Sequence, residues 1–72
     1  MTLFKLYATN NDMTDETVIS VHTFNDFDNT GCLYLGKWKD MPEDFYGYIV
    51  RCFGTLDNGE IYIELEPGEE NL

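Results

Sequence analysis

Positive charge is what this chain has least of. Four Lys and Arg stand against fourteen Asp and Glu in 72 residues, a formal charge of −10 at neutral pH. A surface so short of cations repels DNA, RNA and anionic lipid, and direct binding to any of them is excluded. Histidine is almost as rare: His22 is the only one, in the middle of a strand-like run. With no glycine-rich phosphate loop, nucleophile elbow or paired-His motif beside it, no catalytic constellation emerges, and the expectation is that the protein is not an enzyme. Cys32, Cys52 and His22 make only three soft ligands and lack the close Cys spacing of structural zinc sites. The run Asp26-Phe27-Asp28-Asn29-Thr30-Gly31 imitates the start of a calcium loop, but its twelfth position, which needs a bidentate Glu, is Lys37. No metal or other cofactor is expected. Nor does any apolar run approach the ~20 residues of a membrane span.

The opening Met1-Thr2-Leu3-Phe4-Lys5 does not resemble the charged, then apolar, start of a secretory leader. A cytoplasmic protein with reduced thiols is the expectation. A Cys32–Cys52 disulfide remains open, since it requires only that the Cα atoms lie within about 7 Å.

What the chain does have is apolar and aromatic side chains, at 43% and 15% of its residues. That excludes the acidic disordered class, which is poor in both. A chain of this length holds one core, so residues 1–72 are read as one domain with 69–72 as a mobile acidic tail. About 60% of the unfolded surface is buried at this size, so stability is modest and sensitive to charge repulsion.

Local patterns divide the chain. Leu3 to Tyr7 alternates around Lys5 and predicts a first strand, ended by the polar turn Asn10-Asn11-Asp12. Thr17 to Phe24 is rich in β-branched residues and predicts a second strand. Asn25 to Gly31 is turn chemistry around Phe27, and Cys32 to Trp38 predicts a third strand with a bulge at Gly36. Asp40-Met41-Pro42-Glu43 carries the signals of a helix start. Phe45, Ile49, Cys52 and Phe53 then follow at helical spacing, with Gly54 placed to end the helix. Tyr46, Gly47, Tyr48 and Val50 oppose that helix. Asp57-Asn58-Gly59 is a turn, and Glu60 to Glu66 a period-2 strand that Pro67-Gly68 ends. The predicted class is α+β: a small, mostly antiparallel sheet of about four strands with one helix packed on it.

The carboxylates carry the functional reading. Glu60, Glu64 and Glu66 share one strand face with Tyr62, at same-face steps of about 6.6–6.8 Å. Phosphates advance ~3.4 Å per nucleotide along one DNA strand, so alternate phosphates match that spacing. Asp40, Glu43 and Asp44 add charge near the predicted helix start, and Asp57, Glu69 and Glu70 flank the last strand. The ordinary reading of the same residues is capping, dipole complementarity and protection of an edge strand. The total charge favours a partner-binding set of Asp40, Glu43, Asp44, Tyr46, Asp57, Glu60, Tyr62, Glu64, Glu66, Glu69 and Glu70, with the tyrosines supplying contact area.

Phe27-Asp28-Asn29-Thr30-Gly31-Cys32-Leu33-Tyr34-Leu35-Gly36-Lys37-Trp38-Lys39-Asp40-Met41-Pro42 resembles the opening of the ArdA antirestriction family. That family carries an aromatic-Asn-x-Gly-x-Leu-x-Gly-x-Trp-x-x-Leu-Pro pattern followed by an acidic helix. Here one residue separates Phe27 from Asn29, two separate Leu33 from Gly36, and Met41 replaces the leucine. Glu60 to Glu69 is similar in character to the strand and acidic turn closing that family's first subdomain. The resemblance, over about half the chain, implies a DNA mimic that fills the DNA groove of restriction-modification enzymes. Family members are much longer, with several subdomains.

The expected function is that of a phage or mobile-element inhibitor that mimics nucleic acid in the basic groove of a restriction enzyme or CRISPR effector. The alternative is an acidic binding module, such as an antitoxin, accessory subunit or allosteric inhibitor, without mimicry. A homodimer is compatible with either. Self-repulsion at −10 predicts that added salt, or pH lowered towards the pI of about 4.1, stabilises the fold. Thermal melts across a salt series check this, and a melting temperature that falls with salt contradicts it.

Overall fold

A computed structural model describes residues 1–24 and 31–68. Its elements are α1 (Leu3–Thr9), β1 (Val18–His22), β2 (Cys32–Lys37), two 3₁₀ turns (Trp38–Asp40 and Glu43–Gly47), β3 (Val50–Thr55) and β4 (Ile61–Leu65). The sheet runs β2-β1-β4-β3. Two antiparallel pairs, β1 with β2 and β3 with β4, are joined by a parallel pairing of β1 with β4. The class is α+β with a mostly antiparallel sheet, and among the described residues no helix is long and apolar enough to cross a membrane.

The helix α1 lies where the sequence predicts a strand. Thr2 Oγ1 accepts the Lys5 N–H at 3.1 Å and caps the helix. Leu3 and Leu6, one turn apart, are fully buried. Over so few residues, burial at i and i+3 and alternation around Lys5 are both legible. The cap and the burial of Leu6 decide for helix.

The predicted helix after Asp40 is replaced by the 3₁₀ turn Glu43–Gly47 and then by β3. Glycine at 47 followed by Tyr48, Ile49 and Val50 disfavours α-helix, and Tyr48 is extended, at φ −65° and ψ 141°. The chain start uses the backbone of this segment: Leu3 N–H donates to the Tyr48 carbonyl at 2.9 Å and Val50 N–H to the Met1 carbonyl at 2.7 Å. Cys52 and Phe53, read as a helical stripe, are exposed on β3, where Gly54 pairs with Tyr62 instead of capping a helix.

The bulge in β2 falls at Leu33 rather than Gly36, because the register steps from Val21↔Tyr34 to His22↔Cys32. Gly36 makes room for Tyr34: a Cβ there would lie 2.8 Å from the tyrosine oxygen. The Tyr34 hydroxyl in turn donates to the Lys37 carbonyl at 2.5 Å. The turn before β4 forms as expected, with Gly59 at φ +88°, a conformation suited to glycine. The calcium-like run Asp26 to Thr30 and the tail Glu69 to Leu72 lie outside the described residues.

One face of the sheet, carrying Ile19, Val21, Ile61, Ile63 and Leu65, is buried under α1 and the 3₁₀ turns. Trp38, 3% exposed, is sandwiched between Tyr7 (centroids 4.4 Å apart) and Tyr46 (5.4 Å), with near-parallel rings. Ile63 sits on an inner strand with no exposure. Ile63→Ala is expected to cost about 2–5 kcal/mol and Leu35→Ala, at an exposed site, under about 0.5 kcal/mol, as read by chemical denaturation.

Candidate functional site

β4 has two unlike faces. Ile61, Ile63 and Leu65 enter the core, while Glu60, Tyr62, Glu64 and Glu66 lie half-buried on the other face. β4 is an inner strand, so the glutamates are not guards of a sheet edge. The parallel register sets Ser20 beside Tyr62 and His22 beside Glu64. The antiparallel registers set Cys32 beside His22 and Cys52 beside Glu64. Two thiols, an imidazole and a carboxylate thus form one row across the strands, in the order Cys32, His22, Glu64, Cys52.

That row keeps its sulfurs apart. Cys32 and Cys52 occupy the two outer strands, three strand spacings or about 14 Å from each other, so the disulfide left open by the sequence is ruled out. Both thiols are free and exposed. Among the described residues no group of three His, Cys, Asp or Glu is placed to hold a metal ion.

Ser20, His22, Cys32 and Tyr62 line a shallow concavity of about 360 Å³, with Leu35, Leu56 and Glu60 completing its wall. His22 is buried at 5% exposure and stacks on Tyr62, ring centroids 4.2 Å apart. Leu35 and Leu56 are 64% and 44% exposed, an apolar lining that faces solvent. Beyond this concavity Arg51 donates to Glu64 at 2.9 Å and lies 5.1 Å from the centroid of Phe24.

The structure divides the sequence-predicted set. Glu60, Tyr62, Glu64 and Glu66 share the open face of β4, although Glu64 is met by Arg51 and only 13% exposed. Asp57 is exposed in the turn leading into that strand. Asp40, Glu43 and Asp44 are exposed on the 3₁₀ turns, in the layer across the sheet. Tyr46 belongs to the ring stack and is half-buried, so it does not project as a free contact residue. Glu69 and Glu70 lie outside the described residues. His22, Ser20, Cys32, Leu35 and Leu56 join the face without having been singled out as partner contacts. The period-2 alternation of β1 placed Ser20 and His22 on one side, but only the strand order brings them to Tyr62.

The electrostatics away from this face centre on Glu16, which binds Lys37 at 2.8 Å and Lys39 at 2.7 Å. Hydrogen bonds from Lys37 and Lys39 lower the Glu16 pKa from 4.5 to about 2, and the same contact raises that of Lys39. Tyr7 donates to Asp15, which pushes the phenol pKa up.

No protein-family model matches this chain, and no curated protein or solved structure is significantly similar to it.

Because Glu16 titrates lower in the folded chain, its contribution to stability is present above pH 4.5 and is lost as pH falls towards about 2. Glu16→Gln is therefore expected to lower the melting temperature at neutral pH, with the difference from the parent closing in strong acid. Paired melts over a pH series check it.

Proposed function

We propose that this protein is a non-catalytic inhibitor that occupies the basic nucleic-acid-binding groove of a host defence enzyme or nucleoprotein and excludes the polyanion. The reading places it in the host cytoplasm as a phage or mobile-element product. Charge imbalance carries the proposal. Three of the four cations are drawn into ion pairs with just two carboxylates: Lys37 and Lys39 on Glu16, and Arg51 on Glu64. The net field is strongly negative, which accelerates encounter with a positive cleft and disfavours other partners. Glu60 and Glu66 on the open face, with Asp40, Glu43 and Asp44 on the opposite layer, would meet both walls of a groove that grips the sheet edge-on. The likeness of Phe27 to Pro42 to antirestriction proteins makes a restriction enzyme the first target to test and a CRISPR effector the second.

A second reading, an acidic binding module that does not mimic nucleic acid, is favoured by the Leu35 and Leu56 lining of the concavity. Matching the charge of phosphates does not by itself require apolar surface there.

Capture from a host lysate followed by competition separates the two. Groove occupancy predicts a nucleic-acid-binding partner that excess DNA or RNA displaces. Association should slow by at least about tenfold when Asp40, Glu43, Asp44, Glu60 and Glu66 together become amides. A partner bound equally well when loaded with nucleic acid rejects mimicry and supports the second reading.

A further inference from the structure

The open face already holds one guanidinium of its own. Arg51 is fixed between the Glu64 carboxylate, at 2.9 Å, and the Phe24 ring, at 5.1 Å. This is the pairing of carboxylate and aromatic face that suits a planar, weakly hydrated cation. Back along the same face from Glu64 the same two kinds of group recur, as Tyr62 one step away and Glu60 two steps or about 13 Å away, both lining the concavity. Here no Lys or Arg of the chain contributes to the wall. Lys37 and Lys39 are turned to Glu16, Arg51 to Glu64, and Lys5 belongs to α1.

We propose that the concavity is an arginine-binding site, taking one arginine side chain from a basic partner protein. The guanidinium pairs with Glu60 and lies against the Tyr62 ring, and its methylene stem covers Leu35 and Leu56. This deepens the function proposed above, since it rests on that reading for the basic partner and names the group that anchors it. The apolar lining discriminates against a hydrated ammonium: Leu35 and Leu56 leave it no water-like contacts, whereas a guanidinium is desolvated at lower cost and stacks. The volume of about 360 Å³ is at the low end for ligand sites, in keeping with one long side chain rather than a peptide strand.

The test uses the full chain, isotope-labelled, titrated with a glycine-flanked arginine peptide and with its lysine and citrulline counterparts. The arginine peptide is expected to shift the amide resonances of Leu35, Leu56, Glu60 and Tyr62 saturably. Citrulline, uncharged, should leave them in place, and lysine should bind at least about fivefold more weakly. Glu60→Gln and Tyr62→Leu should each weaken binding at least about tenfold, and Asp12→Asn, an exposed acid outside this face, should not. If Tyr62→Leu does not fold by circular dichroism, Glu60→Gln alone carries the comparison. Equal losses from Asp12→Asn and Glu60→Gln, equal binding of lysine and arginine, or shifts elsewhere on the molecule would overturn the site. Loss of nucleic-acid competition with the arginine shifts intact would count against groove occupancy and leave the site standing. Competition intact without those shifts would do the reverse.

Discussion

Trp38 lies flat between Tyr7 and Tyr46, and the rest of the fold is arranged around that sandwich. Each ring comes from a different element: Tyr7 from α1, Trp38 from the first 3₁₀ turn and Tyr46 from the second. Among the described residues there is one seven-residue α-helix and none of the long helices that ordinarily cover a four-stranded sheet. Stacked aromatics bury a large area per residue and have few torsions to fix, so they close the core with little chain. Leu3, Leu6 and Met41 fill in beneath them.

Among the described residues, the other face is built mainly by the strands themselves. On that side the parallel contact of β1 with β4 brings His22 against Tyr62 and beside Glu64. The bulge at β3 lets Arg51 reach Glu64 and the Phe24 ring. The result combines a cation trap already filled from within the chain and a neighbouring concavity with a carboxylate, an aromatic ring and exposed leucines. The proposed groove occupancy and the proposed arginine site both draw on that composition and on the chain's charge of −10, one at the scale of the whole surface and one at a single concavity.

Much of the β structure was legible before folding. Thr17 to Phe24, Cys32 to Trp38 and Glu60 to Glu66 each contain a strand, and the turn at Asp57-Asn58-Gly59 forms where its residue types place it. The helix and the fourth strand were exchanged. Leu3 to Tyr7 carries both periods at once, and its cap, Thr2, is a single hydroxyl that alternation outweighs. Phe45 to Phe53 has helical spacing, yet its backbone is committed to the chain start and to β4, pairings between residues far apart in sequence. Asp40, Glu43 and Asp44 were correctly read as exposed, whereas Tyr46 was not, because its stacking partners come from other elements.

By itself the sequence determined the sign and size of the charge, the sufficiency of apolar and aromatic residues for a core, and the alternation that gives β4 an apolar and an acidic side. These follow from composition and from the period of a strand, which need no knowledge of neighbours. Tertiary structure alone decided which strands adjoin, that β4 lies inside the sheet, that Glu64 is answered by Arg51, and that Tyr62 stacks on His22 in the lining of a concavity. Each of these depends on register and strand order, and those are set by how two hairpins bury a common face under three aromatic rings, a constraint that no local stretch of residues contains.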